Sequence, residues 1–99
     1  AYIFYISEII QDVAVDLGLA KKIVPDLVNY TILGAAKMLV EQQKNFSAEE
    51  LKNKVTSKGG TTEQALNVFY NKKLKKIFKE AIKKAYFRAK ELSKIVSKN

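Results

Sequence analysis

The sequence predicts an all-α domain of five helices, an orthogonal or bundle arrangement that completes itself as an interlocked helical dimer. Three observations carry this. Apolar residues recur at three- and four-residue spacing along most of the chain, and strand-like alternation is absent. Helix start and stop signals fall at intervals that divide 99 residues into five segments. The first two turns of the first segment are apolar nearly all round, giving that helix more apolar surface than so short a chain can bury by itself.

In the first segment Ile3, Ile6, Ile9, Ile10, Val13, Ala14 and Leu17 form a helical stripe from Tyr2 that ends at Gly18. Phe4 and Tyr5 lie off the stripe, so the helix needs burial on several sides, most simply in a subunit interface. The second helix runs through Ile23, Leu27, Tyr30, Thr31, Gly34, Ala35, Met38 and Leu39. Small residues at Gly34, Ala35 and Ala36 permit close approach of another helix. Pro25 allows two readings: the helix begins near Val24, or it bends there.

Ser47-Ala-Glu-Glu50 is a capping box opening a short helix to about Val55. Thr56-Ser-Lys-Gly-Gly60 then forms a turn, and Thr61 to Gln64 is a second capping-box candidate for a helix reaching about Phe69. Asn71 is the candidate left-handed residue ending that helix. The fifth helix extends to about Ser97, with Leu74, Ile77, Phe78, Ala81, Ile82, Ala85, Ala89, Leu92 and Val96 on a core face and most Lys residues opposite. Arg88 falls on the apolar side and is expected at a seam between helices or subunits. Phe87 projects from the Lys face, as a stray surface aromatic or as a contact with a second chain.

Composition excludes much chemistry. The chain has no Cys, His or Trp, hence no disulfide, thiol nucleophile, imidazole base or zinc site built from those ligands. Its net charge of +8 is uneven: residues 1–49 hold four Lys against six acids, residues 50–99 fourteen basic residues against four. A basic half raises nucleic acid or an anionic membrane as partner. Yet seventeen of eighteen basic residues are Lys, which lacks the bidentate fork of Arg, and a general preference for Lys accounts for the skew equally well. No apolar run approaches a membrane span, since Ser7 and Glu8 interrupt the first. The chain also lacks a signal-like start, so a cytoplasmic location is expected. Its opening, directly into an uncapped apolar helix, leads to the expectation of a preceding segment.

Chemistry concentrates in Val55-Thr-Ser-Lys-Gly-Gly-Thr-Thr62. Two glycines let the backbone turn its N–H groups outward, and the next helix adds free amides and a positive dipole end, a combination suited to a carboxylate or phosphate. Hydroxyls of Ser57, Thr61 and Thr62 are available to orient a ligand. A plain helix–loop–helix turn with capping threonines accounts for the same spacing.

The segment resembles the V-T-S-P-G-G-T-T signature of the pyrroline-5-carboxylate reductase family. Ala1-Tyr2 with its apolar helix is similar to the family's segment after S-G-S-G-P, Gly34-Ala-Ala-Lys-Met-Leu39 to its second helix, and Arg88 with Glu91-Leu92 to its last. The resemblance covers nearly all 99 residues and implies the C-terminal dimerisation and substrate-loop domain, the whole of 1–99, of an enzyme reducing L-pyrroline-5-carboxylate to L-proline.

It further implies an N-terminal Rossmann domain, outside this chain, that binds NADPH or NADH, and a homodimer with a ring of dimers as a larger possibility. In this resemblance the substrate carboxylate rests on backbone N–H groups of Gly60, Thr61 and Thr62. Thr62 offers its hydroxyl to the ring nitrogen as the catalytic residue, and Val55 and Ser57 line the pocket. The family's pattern is broken at Lys58, where proline is usual, at Ala20, in place of a helix-starting proline, and at Asn71-Lys72, in place of a Gly-rich turn. Two readings of the basic half stand beside it: a Lys-rich nucleic-acid-binding module and a membrane-surface helix.

Overall fold

The computed structural model describes residues 1–97, in five α-helices and, among those residues, no strand. They are α1 (Tyr2–Asp16), α2 (Val24–Gln42), α3 (Ala48–Lys54), α4 (Thr61–Asn71) and α5 (Leu74–Ser97). The chain divides into two compact units, Ala1–Lys54 and the part from Val55 onward.

In the first unit, α1 starts without a side-chain cap and ends on Gly18 at φ +102. The Gly18 N–H donates to the Val15 carbonyl at 2.9 Å and the Leu19 N–H to Ala14 at 3.0 Å, the paired bonds that close a helix on a left-handed glycine. α2 begins at Val24 with Pro25 in its first turn, which answers the open boundary: the missing proline N–H falls where no intrahelical acceptor exists. α1 packs against α2, burying Val24 and Val28, which are four residues apart and therefore on one face. Their burial supplies roughly 2 kcal/mol each. A polar clamp crosses the same contact. The Ser7 hydroxyl donates to Asn29 Oδ1 at 2.6 Å, while Gln11 Nε2 donates to Ser7 Oγ at 2.9 Å. Among the described residues, no atom outside its own helix backbone lies within 4 Å of the space above Gly34, so its small size is unused there.

The Ser47 box forms as its sequence implies. The Glu50 N–H donates to Ser47 Oγ and the Ser47 N–H to Glu50 Oε1, both at 3.1 Å. The Ser47 N–H foremost, and then the Ser47 hydroxyl, hold the Glu50 carboxyl below its ordinary value, with Lys54 adding in the same direction. Lys54 also sits over the Phe46 ring, 3.7 Å from its centre, fastening the end of α3 to a residue two before its start.

In the second unit α4 meets α5 through a short turn in which Lys73, not Asn71, adopts the left-handed conformation, at φ 57. Asn71 remains helical because α4 runs on until the Lys72 N–H reaches Val68 and the Lys73 N–H reaches Tyr70. The reversal therefore falls two residues later, on a side chain that pays about 1 kcal/mol for it.

Much of what the sequence marks as core is uncovered. Phe4 is 81% exposed, and Ile3, Tyr5, Ile9 and Ile10 are exposed with it. Ile77, Ile82, Leu92 and Val96 of the expected core face of α5 are exposed as well. Arg88 reaches no seam between helices among the described residues: its Nη1 pairs with Glu91 Oε2 at 2.9 Å, one turn along the same exposed helix. Phe87 packs edge-on to Tyr86, ring centres 5.3 Å apart, and remains exposed.

Candidate functional site

Val55–Thr62 lies wholly in the second unit, as the loop leading into α4. Gly59 takes φ +76, the left-handed region that glycine enters freely, and Gly60 is extended at φ −85, ψ 179 as the residue before the helix. The bend is drawn tight by two bonds. Gly60 donates its N–H to the Ser57 carbonyl at 3.0 Å, and Gly59 donates its N–H to Glu63 Oε1 at 3.2 Å.

The second capping box, Thr61 to Gln64, does not form. Thr61 is already the first helical residue, and the capping position is held by Gly60, which has no side chain to turn onto the helix. Glu63 instead reaches back past the helix start to Gly59. Sequence reasoning missed Glu63. The signal was present, since an acid three residues after an extended glycine is the acidic half of a capping box with its hydroxyl half deleted.

The consequence for binding is specific. The first intrahelical bond is from the Gln64 N–H to Gly60, at 3.3 Å, so the N–H groups of Thr61, Thr62 and Glu63 have no acceptor among the described residues. Of the three amides expected to form a cradle, that of Gly60 is engaged within the turn, and those of Thr61 and Thr62 are free. The hydroxyls of Ser57, Thr61 and Thr62 also lack partners among the described residues, and all three residues are exposed, as is Val55. Open amides at the positive end of an eleven-residue helix, flanked by hydroxyls, suit a small anion.

Elsewhere in this unit a groove of about 1010 Å³ runs between α4 and α5, lined by Leu66, Phe69, Leu74 and Phe78 with several lysines at its rim. None of Val55–Thr62 borders it, so the recess and the candidate site are separate. Among the described residues no cluster of acids forms a metal site, and no helix is long and apolar enough to cross a membrane.

Residues 1–92 match the family model described as pyrroline-5-carboxylate reductase dimerisation. Similar proteins include the pyrroline-5-carboxylate reductase of Vibrio alginolyticus, 38% identical over 95 residues, 96% of this chain and 35% of that protein. That of Staphylococcus haemolyticus is 35% identical over 94 residues, 95% of this chain and 34% of the relative. Pyrroline-5-carboxylate reductase 1 of Bacillus subtilis is 35% identical over 98 residues, 99% of this chain and 32% of the relative. The chain thus spans about a third of the length of the curated relatives it matches. No solved structure matches it.

Proposed function

The chain belongs to the pyrroline-5-carboxylate reductase dimerisation family, and we propose that it serves as the dimerisation and substrate-loop part of an enzyme reducing L-pyrroline-5-carboxylate to L-proline. The observation that carries the site assignment is the bare start of α4: among the described residues no side chain takes its first amides, and three hydroxyls beside them are without a partner.

The substrate is a cyclic imine bearing a carboxylate. In this proposal the carboxylate rests on the Thr61 and Thr62 N–H groups, where the helix end stabilises negative charge. The Thr62 hydroxyl holds the ring nitrogen, orienting the C=N bond and meeting the proton that nitrogen needs as its carbon is reduced. Val55 and Ser57 border the ring. Positioning and one hydrogen bond suffice because the imine is already electrophilic, consistent with a segment that has no histidine or cysteine.

The hydride comes from a nicotinamide dinucleotide, NADPH or NADH. The described residues do not fit that group, since they contain no strand followed by a G-x-G-x-x-G turn, so its site is assigned to the part of the enzyme outside this segment. The partner is a second copy of the chain. The exposed apolar surfaces of α1 and α5 support this, being the faces that a lone domain of this size ordinarily covers. Assembly of dimers into a ring and a cytoplasmic location belong to the same proposal. The Lys-bearing face of α5 is taken as solvated surface.

The test is reduction of pyrroline-5-carboxylate by the full-length protein carrying this segment, followed as oxidation of NADPH and of NADH. Turnover with either supports the assignment, and none with both overturns it.

A further inference from the structure

We propose that Glu63 is a positioning residue for the carboxylate cradle, its side chain holding the Gly59 N–H and thereby the bend that sets the Thr61 and Thr62 amides. The proposal rests on the function argued above and adds a residue to it.

A side chain at Gly59 meets nothing within 4 Å, so packing does not enforce its φ of +76, and Lys58 beside it is exposed. Two hydrogen bonds define the turn, one within the backbone from Gly60 to Ser57 and one from Gly59 to Glu63 Oε1. The second reaches from the bend to a residue inside the helix, and so ties the orientation of the loop to that of α4. Glu63 is half-buried, unlike the exposed threonines before it, in keeping with a side chain folded back against the turn. Its carboxylate lies at the same helix end that is proposed to hold the substrate. It takes an amide outside the helix, however, and leaves those of Thr61 and Thr62 free. The bond requires an acceptor oxygen rather than a charge, so Gln serves in place of Glu.

In the full-length protein, Glu63→Ala is expected to raise KM for pyrroline-5-carboxylate about fivefold, the scale of one lost capping bond, with kcat within about twofold. Glu63→Gln is expected to keep KM within about twofold of the parent. Amide exchange at Gly59 reads the bond directly and should accelerate in the Ala variant but not in the Gln variant. Several outcomes overturn the proposal: an unchanged KM in Glu63→Ala, an equal rise in both variants, or a KM that falls in Glu63→Ala because the carboxylate had been competing for the cradle. Should the parent protein fail to reduce the imine, the functional reading falls, and Gly59 exchange still decides whether Glu63 holds the bend.

Discussion

The Gly60 N–H donates to the Ser57 carbonyl at 3.0 Å, and a methyl group at Gly60 comes within 3.1 Å of that same oxygen. The bond and the missing side chain are one close approach, so Gly60 is needed for space rather than for backbone freedom. Its neighbour is the reverse case, with φ +76 and open space around it. Gly60→Ala is therefore expected to push the Ser57 carbonyl away and raise KM for the carboxylate substrate with a small change in melting temperature. Gly59→Ala is expected to lower stability by about 1 kcal/mol through backbone strain. Thermal melts and steady-state kinetics on both variants check this, and identical behaviour of the two refutes the distinction.

Thr62 combines a free amide with a free hydroxyl, and only the hydroxyl is lost in Thr62→Ala. Turnover of the full-length enzyme should fall by about tenfold or more while the melting temperature hardly moves, because the exposed side chain makes no hydrogen bond among the described residues. Unaltered kcat removes Thr62 from the site.

Phe4 leaves 81% of its surface uncovered at the start of a helix whose neighbours are equally apolar. If that surface is the dimer contact, Phe4→Glu places an unpaired charge within it and should weaken association by at least about tenfold. Light scattering at micromolar concentration follows the shift to monomer, and a variant that stays dimeric moves the interface elsewhere.

Glu50 is held below its ordinary carboxyl value by the Ser47 N–H first, then by the Ser47 hydroxyl and Lys54. A folded-state value that is lowered means stability present above the unfolded value and lost as pH falls through the folded one. The start of α3 should accordingly loosen in acid, below the ordinary carboxylate range, and Glu50→Gln should flatten that dependence. NMR titration of the Glu50 side chain measures the direction; a midpoint at or above the ordinary value contradicts it.

Much of this molecule is legible locally. The Ser47–Glu50 box, the end of α1 at Gly18 and the first-turn position of Pro25 each depend on residues within one or two turns, and the helices form where those signals fall. The Val55–Thr62 loop stands out for the same reason, since the backbone consequences of two adjacent glycines before a helix are local. Less local features escaped. Lys73 rather than Asn71 takes the left-handed turn because the extent of α4 depends on backbone bonds that continue two residues beyond the propensity signal. The expected box at Thr61 fails because a shift of one residue in the helix start converts a cap into a helical position.

By itself, then, the sequence determined the five helices, their order and the loop where an anion is to be sought, since periodicity, caps and glycine turns act over a few residues. The tertiary structure alone decided which loop amides remain open and which apolar faces stay bare. Those depend on where a carbonyl at Ser57 or a carboxylate at Glu63 arrives in space, and on what each helix face finds opposite it.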